Sequence, residues 1–269
     1  MSRSGRAVLG IDAAWTLTQP SGVALVQAQG DGWRLVEVAA SYADYAAGHS
    51  SWPPATAAAL LEASEARCGQ HPAVVAIDMP LATTAIVARR EADNAVSRQY
   101  GARHCSTHSP SAIRPGPVSD GLRAGFADLG YRLAVSEIST PALIEVYPHP
   151  ALLELTGAPS RLPYKAGKLR TYWKTLTPAE RRARLIVTWG EILQTLDVEI
   201  AGVVAALPLP AADAPGRVLK SFEDRLDAVV CAWCGVCALE GHARPLGDET
   251  AAVWIPFGRA ERGLSAPCP

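Results

Sequence analysis

The 269-residue chain has no excess of charge of either sign: 25 Lys and Arg stand against 26 Asp and Glu, a formal net charge of -1. That balance excludes a generally basic, histone-like nucleic-acid coat, so a polyanionic partner would have to meet a local basic patch. Long apolar runs are missing too. Asp78 and Pro80 interrupt the stretch from Val74 to Val87, and Pro208 and Pro210 end the one after Ile200. Neither reaches the roughly 20 residues that span a bilayer, so no membrane segment is expected. Met1 to Gly10 holds two arginines and no apolar core, unlike a secretory signal. Six cysteines, three of them in one apolar segment, do not make the disulfide framework of a small secreted domain. A reducing cytoplasm is the expected location.

With 49% hydrophobic and 19% charged residues the composition is that of a folded globular protein. Ala7 to Ile11, Gly22 to Ala28 and Trp33 to Ala39 read as three strands in antiparallel succession, the last two joined by the hairpin turn Gly30-Asp31-Gly32. Ala55 to Cys68 reads as a helix, with Pro53-Pro54 before it and Gly69 after it. The β-branched run Ala73 to Ile77 suits a strand buried on both faces. Thr84 to Tyr100 reads as a helix, Gly101 to Pro117 as a long loop and Ala142 to Val146 as a fifth strand. Helices follow at Ala151 to Thr156, Arg181 to Leu196 and Phe222 to Glu240, with a final apolar piece at Ala251 to Pro256. A single domain over residues 1–269 is expected, with a helical and loop insertion around residues 101–135 and helical additions at 151–215.

Three strands, a helix and a buried strand form the order of a ribonuclease H-like core: a mixed α/β sheet that begins with an antiparallel three-strand meander and carries helices on both faces. The carboxylates fall where that core uses them. Asp12 ends the first strand, Asp78 ends the fourth, and Asp224 and Asp227 stand three apart at the start of the late helix, on one face. Hydrolysis of a phosphodiester by two Mg²⁺ or Mn²⁺ ions needs such a cluster of oxygen ligands, with the catalytic residues Asp12, Asp78 and Asp227 as the metal set and Asp224 as the candidate fourth. Glu145 and, four residues on, His149 offer an extra ligand, a water-orienting base or a substrate contact. Lys165, Lys168, Arg170 and Lys174 cluster in the one basic stretch, Arg161 to Arg184, and are candidates for gripping phosphates.

The segments Gly10-Ile11-Asp12-Ala13-Ala14-Trp15, Ser21-Gly22-Val23-Ala24, Ala76-Ile77-Asp78-Met79-Pro80-Leu81, Glu145-Val146-Tyr147-Pro148-His149-Pro150, Tyr164-Lys165 and Asp227-Ala228 resemble the predicted ribonuclease H-like nucleases grouped as domain of unknown function 429. The resemblance runs from Val8 to Pro256 and implies that fold, a metal-dependent nuclease activity and nucleic acid as partner. Asp224-Arg225-Leu226-Asp227-Ala228 also looks like the last helix of the Holliday-junction resolvase branch.

Other readings stay open at this level. Asp12 and Asp78 also suit strand-end turns. Ser221-Phe222-Glu223-Asp224 resembles a capping box, which would make Asp224 a helix cap. Glu145 and His149 could be a hydrogen-bonded strand-end pair, and the basic stretch a solvated helix face. An actin-like, ATP-dependent phosphotransferase shares this core but needs a second glycine-rich phosphate loop, which Arg161 to Gly258 does not contain. A binding module that keeps the fold without the reaction is the third class. His104 and His108 flank Cys105 without a second ligand pair at zinc spacing. Cys231, Cys234 and Cys237 lack a fourth thiolate and read as small packing residues of a helix.

Overall fold

Among the described residues, eight strands pair into one mixed sheet. A computed structural model describes residues 5–16, 18–53, 55–258 and 260–263. The antiparallel meander comprises β1 (Ala7–Asp12), β2 (Gly22–Gln29) and β3 (Gly32–Ala39). Beyond it come β4 (Val74–Ile77), the two-residue β5 (Arg132–Leu133), β6 (Ala142–Val146), β7 (Ala243–Gly247) and β8 (Ala252–Pro256), in the spatial order β3-β2-β1-β4-β6-β8-β7. β1, β4, β6 and β8 run parallel, β5 pairs with β6 beside Ala142 and Leu143, and β7 returns antiparallel to β8.

The helices are α1 (Tyr42–Ala46), α2 (Ala57–Cys68), α3 (Glu91–Tyr100), α4 (Pro117–Asp128), α5 (Pro148–Thr156), α6 (Leu169–Tyr172), α7 (Pro178–Glu199), α8 (Val203–Ala206) and α9 (Gly216–Leu239). They cover both faces, as the continuous apolar strands require. Leu9, Ile11, Leu25, Val75, Ile77 and Leu143 pack with Tyr45 of α1, Leu60 of α2 and Phe126 of α4. Their neighbours in the two-residue alternation, Val8, Ala24, Val26, Ala76 and Ile144, pack on the other face with Leu152 of α5, Trp189 of α7 and the apolar side of α9. Ile255 and Val253 of β8 close a third cluster with Val96 and Tyr100 of α3. Among the described residues no helix is long and apolar enough to cross a membrane.

Several element boundaries move from their sequence expectation, each for a local reason. α2 starts at Ala57 because the Thr56 side chain accepts the Ala59 N–H at 3.2 Å; Pro54 lies outside the described residues. The helix expected from Thr84 starts only at Glu91, since Arg90 is extended and its N–H is taken by the Asp93 carboxylate at 2.9 Å. Within the long loop region α4 begins at Pro117, the position where a missing N–H costs nothing. The last helix starts at Gly216 rather than Phe222, just after Pro215. Asp224 therefore lies two turns inside α9 and caps nothing. β7 and α1 carry too little periodicity to be read from sequence.

Candidate functional site

Strand alternation decides which acids can meet. Asp12 ends β1 on the face of Val8 and Gly10, and Asp78 follows β4 on the face of Val74 and Ala76, with its N–H donating to the Ile11 carbonyl at 2.9 Å. α9 crosses that same face. It lies unusually close because Gly10 and Gly22 have no side chain: a Cβ on Gly10 would fall on the Ala228 and Ala232 backbone, and one on Gly22 on the Asp224 carbonyl. Gly22 is paired with Asp12 across the sheet, so this contact sets Asp224 above Asp12.

Gly22→Ala should push the first half of α9 off the sheet. Overpacking of this kind costs about 1–3 kcal/mol, more where backbone must move. A drop in unfolding free energy together with weakened coupling between Asp12 and Asp224 in a double-mutant cycle would show it; a variant as stable as the wild type would contradict the close packing.

Five carboxyl groups gather here around two ammonium groups. Asp227 is fully buried, accepts the Tyr164 hydroxyl at 2.8 Å and pairs with Lys165. Lys165 also reaches Glu223 at 3.6 Å, and Glu223 accepts the Ala166 N–H at 2.6 Å. Lys220, one turn before, pairs with Asp224 and lies 3.3 Å from Glu223. Asp12, Asp78 and Asp224, with Lys165, Lys220 and Arg114, line an open cleft of about 670 Å³; Asp227 and Glu223 form the layer behind it.

Burial is the main force on these carboxyls. Burial first, then Asp227, holds the Asp12 carboxyl well above its ordinary range; Lys165 pulls against them, and Asp78 and Asp224 add to the rise. Burial pushes Asp78 up to about 7, against the pull of Lys165. Asp224 and Glu223 are raised for the same main reason. Lys165 is driven the other way: burial would lower it, but Asp227, Tyr164, Glu223 and Asp12 raise it well above the usual lysine range. It remains an ammonium and does not act as a base.

A carboxyl raised on folding destabilises the fold as pH rises. In the unfolded chain Asp78 loses its proton near pH 4, whereas the folded protein keeps it to about 7. Stability should fall as pH increases through this window, by up to about 1.4 kcal/mol per pH unit for one proton, and level off above it. Asp78→Asn removes that contribution, so its stability relative to the wild type should rise between pH 4.5 and pH 7.5, roughly the limits of the window. Urea unfolding at the two ends tests this; a constant difference would refute the shift.

Of the sequence candidates, Asp12, Asp78, Asp224 and Asp227 converge, and Lys165 joins them from inside rather than as an exposed phosphate grip. Glu145 does not join them. Its register partner Ile77 points to the opposite face from Asp78, and Glu145 is closed in a buried ion pair with Arg90, whose Nη1 and Nη2 donate at 2.6 and 2.8 Å, while the Leu81 N–H donates at 2.7 Å. Nor does it pair with His149. His149 is buried between the rings of Tyr147 and Tyr164, its Nε2 facing Arg161. Burial, then Lys165 and Arg161, keep it neutral, and it does not line the cleft.

The basic stretch is not one patch. Lys168 is exposed outside the cleft, while Arg181 donates to the Trp173 and Lys174 carbonyls and Arg182 to the Ala214 carbonyl. Cys231, Cys234 and Cys237 are free, buried packing residues of α9. Glu223 and Lys220 were not singled out by sequence, although their spacing of three and four on one helix face was the available signal. Among the described residues no group of three or more His, Cys, Asp or Glu side chains is already placed to hold a metal ion.

A family model described as a protein of unknown function (DUF429) matches residues 10–252. The chain belongs to the DUF429 family. The match contains every acid of the cleft and both lysines that hold them. No curated protein and no solved structure matches this DUF429 chain.

Proposed function

We propose that this DUF429 protein is a ribonuclease H-like, divalent-cation-dependent phosphodiesterase. The observation that carries the reading is the meeting of Asp12, Asp78 and Asp224 in one open cleft at the ends of two adjacent parallel strands. The order β3-β2-β1-β4-β6, antiparallel in its first three strands and parallel after, supports it as the order expected of that core.

The donor set fits Mg²⁺ or Mn²⁺ by its chemistry: oxygen ligands only, in a cluster of five carboxyl groups against two ammonium groups, where burial first and then Asp227 hold Asp12 above its ordinary range. Asp12, Asp78 and Asp224, which line the cleft, would hold the ion. Asp227, named for that role on sequence grounds, acts from behind by positioning Lys165 and Tyr164. When bound, such an ion activates water and neutralises charge on the phosphoryl oxygens. Lys165 supplies a fixed positive charge at the cleft wall.

Cleavage of labelled single-stranded, duplex and branched oligonucleotides and of a mononucleotide, in Mg²⁺ or Mn²⁺ and in chelator, tests the proposal. Asp12→Asn should lower the rate at least about a hundredfold and abolish the rise in melting temperature that divalent ion gives the wild type. Activity that survives both the chelator and Asp12→Asn would overturn it.

A further inference from the structure

A second cavity opens beside the acid cleft and shares a wall with it at Ala14, Thr16 and Gln19. Its volume is about 320 Å³, at the small end of the range for sites that take small organic ligands. Met79, Val118 and Leu122 make an apolar lining, and Gly121 and Gly125 of α4 leave one side without side chains. A few polar groups stand in the same wall. Ser21 Oγ accepts the Ala14 N–H at 3.0 Å and Tyr42 lines the same wall, so the polar side of the cavity is tied to the loop that follows Asp12.

We propose that this cavity seats one unstacked nucleobase of the phosphoester whose phosphate lies at Asp12, Asp78 and Asp224; the inference rests on the phosphodiesterase reading and adds its substrate class. Three observations favour such a ring. The volume suits a single ring system. The lining is apolar with polar groups at one side, the combination a heterocycle's faces and edge need. The cleft also offers little to a long polyanion: of its lining cations Lys165 and Lys220 are already held by Asp227 and Asp224, and Arg114 sits over the Trp15 ring at 5.9 Å. Stacking and hydrogen bonding of one ring therefore carry recognition that a basic track would carry elsewhere. The ring comes either from a free nucleotide or from an unpaired nucleotide of a strand.

Gly121→Leu tests this. A Cβ at Gly121 meets nothing within 4 Å, and leucine favours a helix more than glycine does, so the variant fills the cavity while α4 stays intact; Gly121→Ala, one methyl larger, is the control. Calorimetric titrations in millimolar Ca²⁺ use deoxyadenosine, its 5′-monophosphate, deoxyribose 5-phosphate and a single-stranded trinucleotide. The monophosphate should bind the wild type at least about tenfold more tightly than the ringless sugar phosphate, and Gly121→Leu should erase that difference while leaving the sugar phosphate unchanged. A trinucleotide about tenfold tighter than the mononucleotide assigns a strand as the source, and equal affinity assigns the free nucleotide. Equal binding of ringed and ringless phosphates, or a difference that survives Gly121→Leu, overturns the ring site. Deoxyadenosine binding that Gly121→Leu abolishes, without binding of either phosphate, leaves the ring site standing and overturns the phosphodiesterase reading instead.

Discussion

Asp227→Ala is expected to unfold the protein about 10 °C earlier than the wild type, while Asp12→Asn raises its melting temperature when no divalent ion is present. The two acids face one another, yet their surroundings differ. Asp227 is wholly buried, accepts the Tyr164 hydroxyl and is the main counter-charge of Lys165. Its removal leaves the ammonium with Glu223 at 3.6 Å and the weaker pull of Asp12, and a buried phenol without its acceptor. Breaking one side of a buried ion pair costs about 3–5 kcal/mol, and replacing both sides by apolar groups costs far less. Asp227→Ala combined with Lys165→Met should thus recover most of the loss. Asp12 has no ion pair of this kind: Lys165 favours its charge, but burial first and then Asp227, Asp78 and Asp224 oppose it. Differential scanning calorimetry of the four proteins decides the matter: an Asp227→Ala variant as stable as the wild type would remove the proposed role of Asp227 in holding Lys165.

Arg90→Met should cost a comparable 3–5 kcal/mol or so, and the cost should grow with pH. Arg90 satisfies Glu145 through two nitrogens and Asp93 through Nε and Nη2 at 3.1 and 3.0 Å, and it also donates to the Leu81 carbonyl at 2.7 Å. Exposure is only 9% for Arg90, 1% for Asp93 and 4% for Glu145, so solvent cannot take over. Burial already holds the Glu145 carboxyl above its ordinary range against the pull of Arg90, and without the guanidinium it rises further and keeps its proton to higher pH. Stability contributed by that protonation is present at low pH and lost as pH increases through the raised values. Urea unfolding at about pH 5 and about pH 8 should show the larger deficit at the higher pH; a deficit independent of pH would mean that the carboxylates find other partners. Because Glu145 faces away from Asp78, this variant should leave divalent-ion binding by the cleft intact.

The contrast between Glu145 and Asp78 shows how far the sequence reaches. Both are acids at or near the end of an apolar run, and nothing in Ala142 to Val146, apolar on both sides, tells which face Glu145 takes. The register Ile77 with Glu145 settles it, and register is a property of pairing between strands whose partners lie 68 residues apart in sequence. Lys165 poses the same problem. In the sequence it is one of eight cations in a basic stretch, whereas in the fold the segment carrying it is pinned to α7 and α9 by the Trp189 indole on the Tyr164 carbonyl and by Glu223 on the Ala166 N–H. Those contacts turn the ammonium inward.

What the sequence determined by itself was local: the strands of the meander, the buried fourth and fifth strands, the long helices, and the positions of Asp12 and Asp78 where apolar runs stop. Period, turn chemistry and capping are carried by neighbouring residues, so they can be read along the chain. Tertiary structure alone decided that Asp224 lines the cleft and Asp227 stands behind it, that Glu145 belongs to Arg90, and that Gly10 and Gly22 are the places where α9 meets the sheet. Each of these depends on which face of an element is turned toward another distant in sequence. A charge in a packed interior takes the partner that the opposing surface supplies.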